Sequence, residues 1–232
     1  MMSLQFAIGA LNDIVDAPAD AGRATKPIPS GAISVTLARV AVALAATIGL
    51  ALAATVGAAV VVVASVVLAI GAAYDLFAKG TPWSWLPFAV GIPLLPVYAW
   101  YGAVGTVPAE FAVLIPAAVA AGAALAIGNA RADLERDAAS GVASIATRLG
   151  QRAAWAWQVA LFGGIAVAAV ISVAAWGGGA GGVALVAAAG LVPVLAAAAS
   201  RDAGPGGRER AWEVEAVGVA VLAVAWLWVA LA

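Results

Sequence analysis

The chain has 232 residues, 65% of them hydrophobic and only 10% charged, with a net charge of −1 and a mean hydropathy of +1.07. A soluble domain carries about 25% charged residues, so this chain has too little polar surface to coat a globule in water and lipid is its expected solvent. Eleven Lys and Arg are too few for a nucleic-acid footprint, and the absence of Cys and His excludes disulfides, thiolate and imidazole metal sites, and histidine general-base catalysis.

Eight apolar stretches of about membrane-spanning length are read at 2–17, 33–54, 56–78, 84–103, 108–130, 151–176, 179–200 and 211–231. They predict an all-α, multi-pass transmembrane bundle of about eight helices, forming one domain over residues 1–232. The first is short and ends in carboxylates. The fourth is expected to be kinked or irregular around Pro87, Pro93 and Pro96, because each proline removes a backbone donor and crowds the preceding turn. The richness in Ala, Gly, Val and Leu predicts close helix packing through small residues; it would also leave room for an apolar chamber.

The connections divide by charge. Loops after the first, third, fifth and seventh segments hold Arg23, Lys26, Lys79, Arg131, Arg136, Arg148, Arg201, Arg208 and Arg210, with Arg39 and Arg152 just inside the helices that follow. The intervening loops, such as "GTVPAE" (105–110) and "WGGGAGG" (176–182), hold no Lys or Arg. The positive-inside rule makes the basic face cytoplasmic, which places the protein in the cell membrane with both termini outside. The opening "MMSLQFAIGALNDIVD" shows no basic n-region and no cleavage pattern of a secretory signal.

Two acidic motifs stand on the basic face. "NDIVDAPAD" (12–20) and "NARADLERD" (129–137) both place Asn, Asp and Asp at intervals of four. Such spacing drifts only about 40° around a helix, so Asn12, Asp13 and Asp16 share a face, as do Asn129, Asp133 and Asp137. Pro18 is expected to end the first helix near Ala17 and leave Asp20 to the loop. Carboxylates gathered at one membrane face repel one another unless a cation lies among them, and hard oxygen donors without His or Cys suit Mg²⁺. Arg23, Lys26, Lys79 and Arg131 are the nearby cations expected to complete an anion site. A ligand with a diphosphate head and a hydrocarbon tail fits this pattern.

These residues resemble the UbiA-type intramembrane prenyltransferases. "NDIVDAPADAGRATKPIPSGAIS" (12–34) is similar to that family's first aspartate-rich motif, "YDLFAKGTPW" (74–83) to its Tyr and Lys element, and "NARADLERDAASGVASIATRLG" (129–150) to its second motif. The resemblance implies nine helices with the motifs ending the second and sixth; here they end the first and fifth segments, so the chain is expected to lack the family's first helix. Ala143 stands where many members that make menaquinone precursors carry a basic residue, which counts against a quinone-type acceptor.

The resemblance also implies chemistry. Asn12, Asp13, Asp16, Asp20, Asp133 and Asp137 would hold about two Mg²⁺ ions, with Asn12 and Asn129 also supporting the head group. Asp13, Asp16, Asp133 and Asp137 would be catalytic. Arg23, Lys26, Lys79 and Arg131 would neutralise the departing diphosphate, and Tyr74 would hydrogen-bond it. The expected reaction is Mg²⁺-dependent transfer of a prenyl group from an isoprenyl diphosphate to a small aromatic, quinone-precursor or lipid acceptor within the membrane. The alternative is terpene cyclisation of the same diphosphate without an acceptor. An ion transporter, the competing class, usually places its carboxylates near the bilayer midplane and not beside Lys and Arg at one interface. Most of the nine tryptophans are expected in interfacial belts, with one or two facing the chamber.

Overall fold

The computed structural model describes residues 1–22 and 24–231. Among them the chain is all-helical, with ten α-helices, one π-helical turn and no strand. In order these are α1 (Met2–Asp16), α2 (Val35–Val56), α3 (Ala58–Ala73) running into the π turn Tyr74–Ala78, α4 (Trp85–Val104), α5 (Phe111–Ala132), α6 (Leu134–Ala139), α7 (Ile145–Leu149), α8 (Gln151–Ala175), α9 (Gly179–Ala199) and α10 (Pro205–Leu231). Among the described residues seven helices are long and apolar enough to cross a membrane, and the protein is a multi-pass membrane protein. The remaining expected segment, α1, is helical but has 15 residues, about 22 Å of rise against a hydrocarbon core of about 30 Å.

Two sequence expectations change. The fourth segment, expected to be kinked or irregular, is helical without a break through Pro87, Pro93 and Pro96. Pro87 lies in its first turn, where no donor is needed, and membrane helices tolerate inner prolines because neighbouring groups and local adjustments satisfy the freed carbonyls. The sequence predicts one helical face for the second acidic motif, but α5 ends at Ala132 and α6 opens at Leu134, so Asp133 stands at a junction. The Asp137 N–H still donates to the Asp133 carbonyl at 2.9 Å, preserving the local four-residue step.

The chain divides into two compact units, Met1–Lys79 with Leu94–Val107, and Gly80–Pro93 with Pro108–Ala232. In the first, Leu4, Ala53, Val60 and Ala64 form a buried cluster flanked by Tyr98 and Tyr101. Gly57, at φ +155°, joins α2 to α3 in a single residue. α1 is seated by two glycines. Leu4 fills the space a side chain on Gly49 would take, and Ile8 fills that of Gly71. Lipid tails give helices no hydrophobic reason to associate, so these close approaches supply the packing that fixes α1, and with it the first motif.

In the second unit α5 is the most enclosed helix, with eleven buried positions between Phe111 and Arg131. Gly122 lies against the backbone of Phe88 and Ala89, Gly190 against Ala166, and Gly218 against Pro193. Three tryptophans tie helices together. Trp212 Nε1 donates to Leu125 O, Trp226 Nε1 to Ser172 Oγ and Trp155 Nε1 to Ala197 O, each at 3.0 Å. Trp83, Trp157 and Trp228 are exposed, as lipid-facing or interfacial residues should be. Leu37, Leu44, Ile48 and Leu52 likewise project from α2, an apolar stripe that suits lipid and not water.

Candidate functional site

The first motif sits at the C-terminal end of α1, where Asp16 is the last helical residue and Ala17 the cap. Asp20 follows in a turn, its N–H donating to the Asp16 carbonyl at 2.9 Å, as the Pro18 argument expects. Lys26 Nζ donates to Asp13 Oδ1 at 2.9 Å and lies 4.0 Å from Asp20 Oδ2. Lys79 Nζ lies 2.5 Å from Asp16 Oδ2. Two lysines from different loops thus stand on the carboxylates of one helix end. The hydrogen bond to Asp13 holds the Lys26 ammonium above its usual range, against the opposing effect of desolvation. Arg23 lies outside the described residues.

The π turn after α3 shapes this end. The Lys79 N–H donates to the Tyr74 carbonyl at 2.8 Å, the five-residue step that marks a π turn, a feature often found at functional sites. Within it lies a residue that sequence reasoning missed. Asp75 is only 4% exposed, and its Oδ1 accepts from Asn12 Nδ2 at 2.7 Å. The signal was present in "YDLFAK", where Asp75 precedes Lys79 by four residues, the same interval that separates Asn12 from Asp16. Tyr74, expected to bind diphosphate, is partly buried at the start of the turn.

In the second unit Asn129 and Asp133 are partly buried at the end of α5, and Asp137 is partly buried on α6. Asp133 pairs with Arg136 at 2.7 Å. Arg131 behaves differently from the diphosphate-binding role expected of it. It is 1% exposed, its Nη1 donates to Gln158 Oε1 at 2.5 Å and to Ser200 Oγ at 3.1 Å, and its Nη2 donates to Ser200 O at 3.1 Å. Gln158 Nε2 passes the chain on to Glu215 Oε2 at 2.6 Å. Helical phase explains this, since two residues advance about 200° and Arg131 stands across α5 from both Asn129 and Asp133. Gly128, one turn earlier, leaves the space that Gln158 and Glu215 occupy. Below the motif, Arg208 on α10 donates to Glu135 and to Ala203 O, and the bond holds the Glu135 carboxyl below its usual range.

The donor set fits a hard divalent cation in one particular way. Every candidate ligand is a carboxylate or amide oxygen, which suits Mg²⁺. Among the described residues no three acidic side chains are gathered closely enough to cage an ion by themselves. Mg²⁺ is commonly held by one or two carboxylates with phosphate oxygens and water completing the octahedron, and Asp13, Asp16 and Asp20 beside two lysines offer that combination.

An all-helical membrane fold carrying paired carboxylates and lysines at a helix end defines the class of molecule, and comparison with known proteins gives the family. The UbiA prenyltransferase family model matches residues 1–216, and the chain belongs to that family. Three solved structures share the fold. The apo structure of a UbiA homolog from Aeropyrum pernix K1 is 22% identical with a TM-score of 0.73, over 96% of this chain and 84% of that one. A structure concerning digeranylgeranylglyceryl phosphate synthase in membranes is 16% identical with a TM-score of 0.68, over 99% and 85%. A UbiA homolog from Archaeoglobus fulgidus is 20% identical with a TM-score of 0.63, over 99% and 82%. No curated protein matches the chain by sequence.

Proposed function

We propose that the protein transfers a prenyl group from an isoprenyl diphosphate to a small aromatic, quinone-precursor or lipid acceptor, with Mg²⁺ and with the diphosphate bound on the cytoplasmic face. The observation that carries this reading is the pairing of Lys26 with Asp13 and of Lys79 with Asp16 at one helix end. A magnesium diphosphate presents both a cation and an anion, so it can satisfy both members of each pair at once. Asp13, Asp16 and Asp20 would turn to the metal, while Lys26 and Lys79 would turn to phosphate oxygens. Mg²⁺ bound here would act as a Lewis acid, neutralising charge on the leaving diphosphate.

The chain's own groups do the rest. The lysines are held in place before the bond breaks, so little reorganisation is needed as charge develops on the leaving group. Asn12 presents its amide to the head group, and Tyr74 lies on the turn that delivers Lys79. Asn129, Asp133 and Asp137 form the second motif and are proposed as head-group ligands also. Arg131 is left out of the set, because its Nη donors are committed to Gln158 and Ser200. The lipid-embedded helices exclude water, which protects an allylic cation from hydrolysis. The segregation of Lys and Arg to alternate loops supports the cytoplasmic orientation.

The test is incubation of the purified chain with isoprenyl diphosphates of several lengths and Mg²⁺, with and without a panel of acceptors, reading products by mass. A prenylated acceptor formed only when one acceptor is present is the expected result. A hydrocarbon or terpene alcohol formed without acceptor would replace transfer with cyclisation.

A further inference from the structure

Asn12 and Asp16 are four residues apart on α1, and each is met by a residue 63 positions later, Asp75 and Lys79. The two helix ends are therefore locked in register by two rungs. The lower rung joins opposite charges, as a head-group site needs. The upper rung joins an amide to a carboxylate that is almost wholly buried, and among the described residues its Oδ2 has no hydrogen-bond partner.

A carboxylate is a costly choice for a simple brace. Burying a charge is unfavourable unless it is well paired, and an unsatisfied buried acceptor costs about 1–3 kcal/mol. A serine or asparagine could have joined the two helices more cheaply. What the carboxylate does that those groups cannot is accept without donating. Asn12 can therefore turn only its NH₂ toward Asp75, and its carbonyl Oδ1 is the atom left to face a ligand.

We propose that Asp75 is a positioning residue, which orients the Asn12 amide so that Oδ1 is presented to a cation carried by the diphosphate head group. This rests on the head-group reading under Proposed function. It is the amide counterpart of the outer carboxylates that fix the orientation of metal-binding histidines, whose removal costs about 10–100-fold in metal affinity.

The experiment measures binding of Mn²⁺ with inorganic diphosphate to the full chain in detergent, by water-proton relaxation, without turnover. Asp75→Asn removes the forced orientation and should weaken binding about 10–100-fold. Asn12→Asp should also weaken it, although it adds a carboxylate, because two carboxylates then face each other. The swapped pair, Asn12→Asp with Asp75→Asn, restores one donor facing one acceptor and should recover most of the loss. Melting temperature is followed alongside, and should Asp75→Asn fail to fold, Asn12→Asp and the swapped pair make the same comparison. Wild-type binding by Asp75→Asn, or a swapped pair no better than Asn12→Asp alone, overturns the proposal and leaves the head-group reading standing. A wild-type chain that binds no Mn²⁺ with diphosphate overturns the head-group reading, and this proposal with it.

Discussion

Lys79 Nζ lies 2.5 Å from Asp16 Oδ2, joining the turn that closes α3 to the end of α1. Both side chains are partly exposed, at 33% and 23%, and such pairs contribute only about 0–1 kcal/mol to stability. Their substitution should therefore change chemistry more than folding. Asp16→Asn should lower turnover by about 10²-fold or more, the scale seen when one positioned charge-stabilising group is lost. Lys79→Ala should weaken diphosphate binding by about 10–100-fold, since a hydrogen bond to a charged group contributes about 1.5–3 kcal/mol. Both should keep wild-type helix content by circular dichroism. Unchanged affinity in Lys79→Ala removes Lys79 from the head-group site.

Arg131 should report on stability instead. It is joined through Gln158 to Glu215 inside the second unit, and removing one member of a buried charged network costs about 3–5 kcal/mol. Arg131→Ala should lower the melting temperature sharply. In the fraction that remains folded, diphosphate affinity should match wild type. A stable Arg131→Ala with weakened diphosphate binding would return Arg131 to the head-group set.

Gly128 tests the same network from the other side. A Cβ there would stand 2.9 Å from Glu215 Oε2 and 3.1 Å from Trp212 Cδ1, so Gly128→Ala should destabilise by about 1–3 kcal/mol through overpacking. Gly163→Ala meets open space and should be neutral or slightly stabilising, because alanine is the better helix former. Thermal denaturation in one detergent compares the two directly; equal melting temperatures would contradict the packing described.

Much of this was legible in the sequence, for reasons that can be traced. Length and hydropathy locate spans because a bilayer demands them, and α2 and α8 begin and end within two residues of the apolar runs read at 33–54 and 151–176. The first motif was legible because its carboxylates stand out against an apolar background, and Lys79 because its loop follows the third span. Asp75 was passed over because its partner lies on another helix, and only packing reveals it. The side of α5 that Arg131 occupies was hard to read for a different reason. Its proximity in sequence to Asn129 and Asp133 suggested a shared site, while the helical period already put it on the opposite face. Gln158 and Glu215 were hidden in spans read for hydropathy alone. The junction at Asp133 was invisible because four-residue spacing persists across it.

The pair between Arg208 and Glu135 predicts a pH effect of definite sign. The bond lowers the Glu135 carboxyl below 4.5, so its stabilisation is present above that value and is lost as pH falls through the folded-state pKa. Glu135 is 57% exposed, so the contribution is small. The melting-temperature difference between wild type and Glu135→Gln should be slight near pH 7 and vanish on acidification below pH 4.5. A difference that grows on acidification contradicts the pairing.

The most direct measurement is release of inorganic diphosphate from an isoprenyl diphosphate by the purified full chain, with acceptor present, in Mg²⁺ and after chelation by EDTA. Wild type should release diphosphate only with Mg²⁺, and Asp16→Asn should release about 10²-fold less while remaining folded. Release that survives EDTA, or that Asp16→Asn leaves at the wild-type rate, would contradict a metal-diphosphate site at the end of α1.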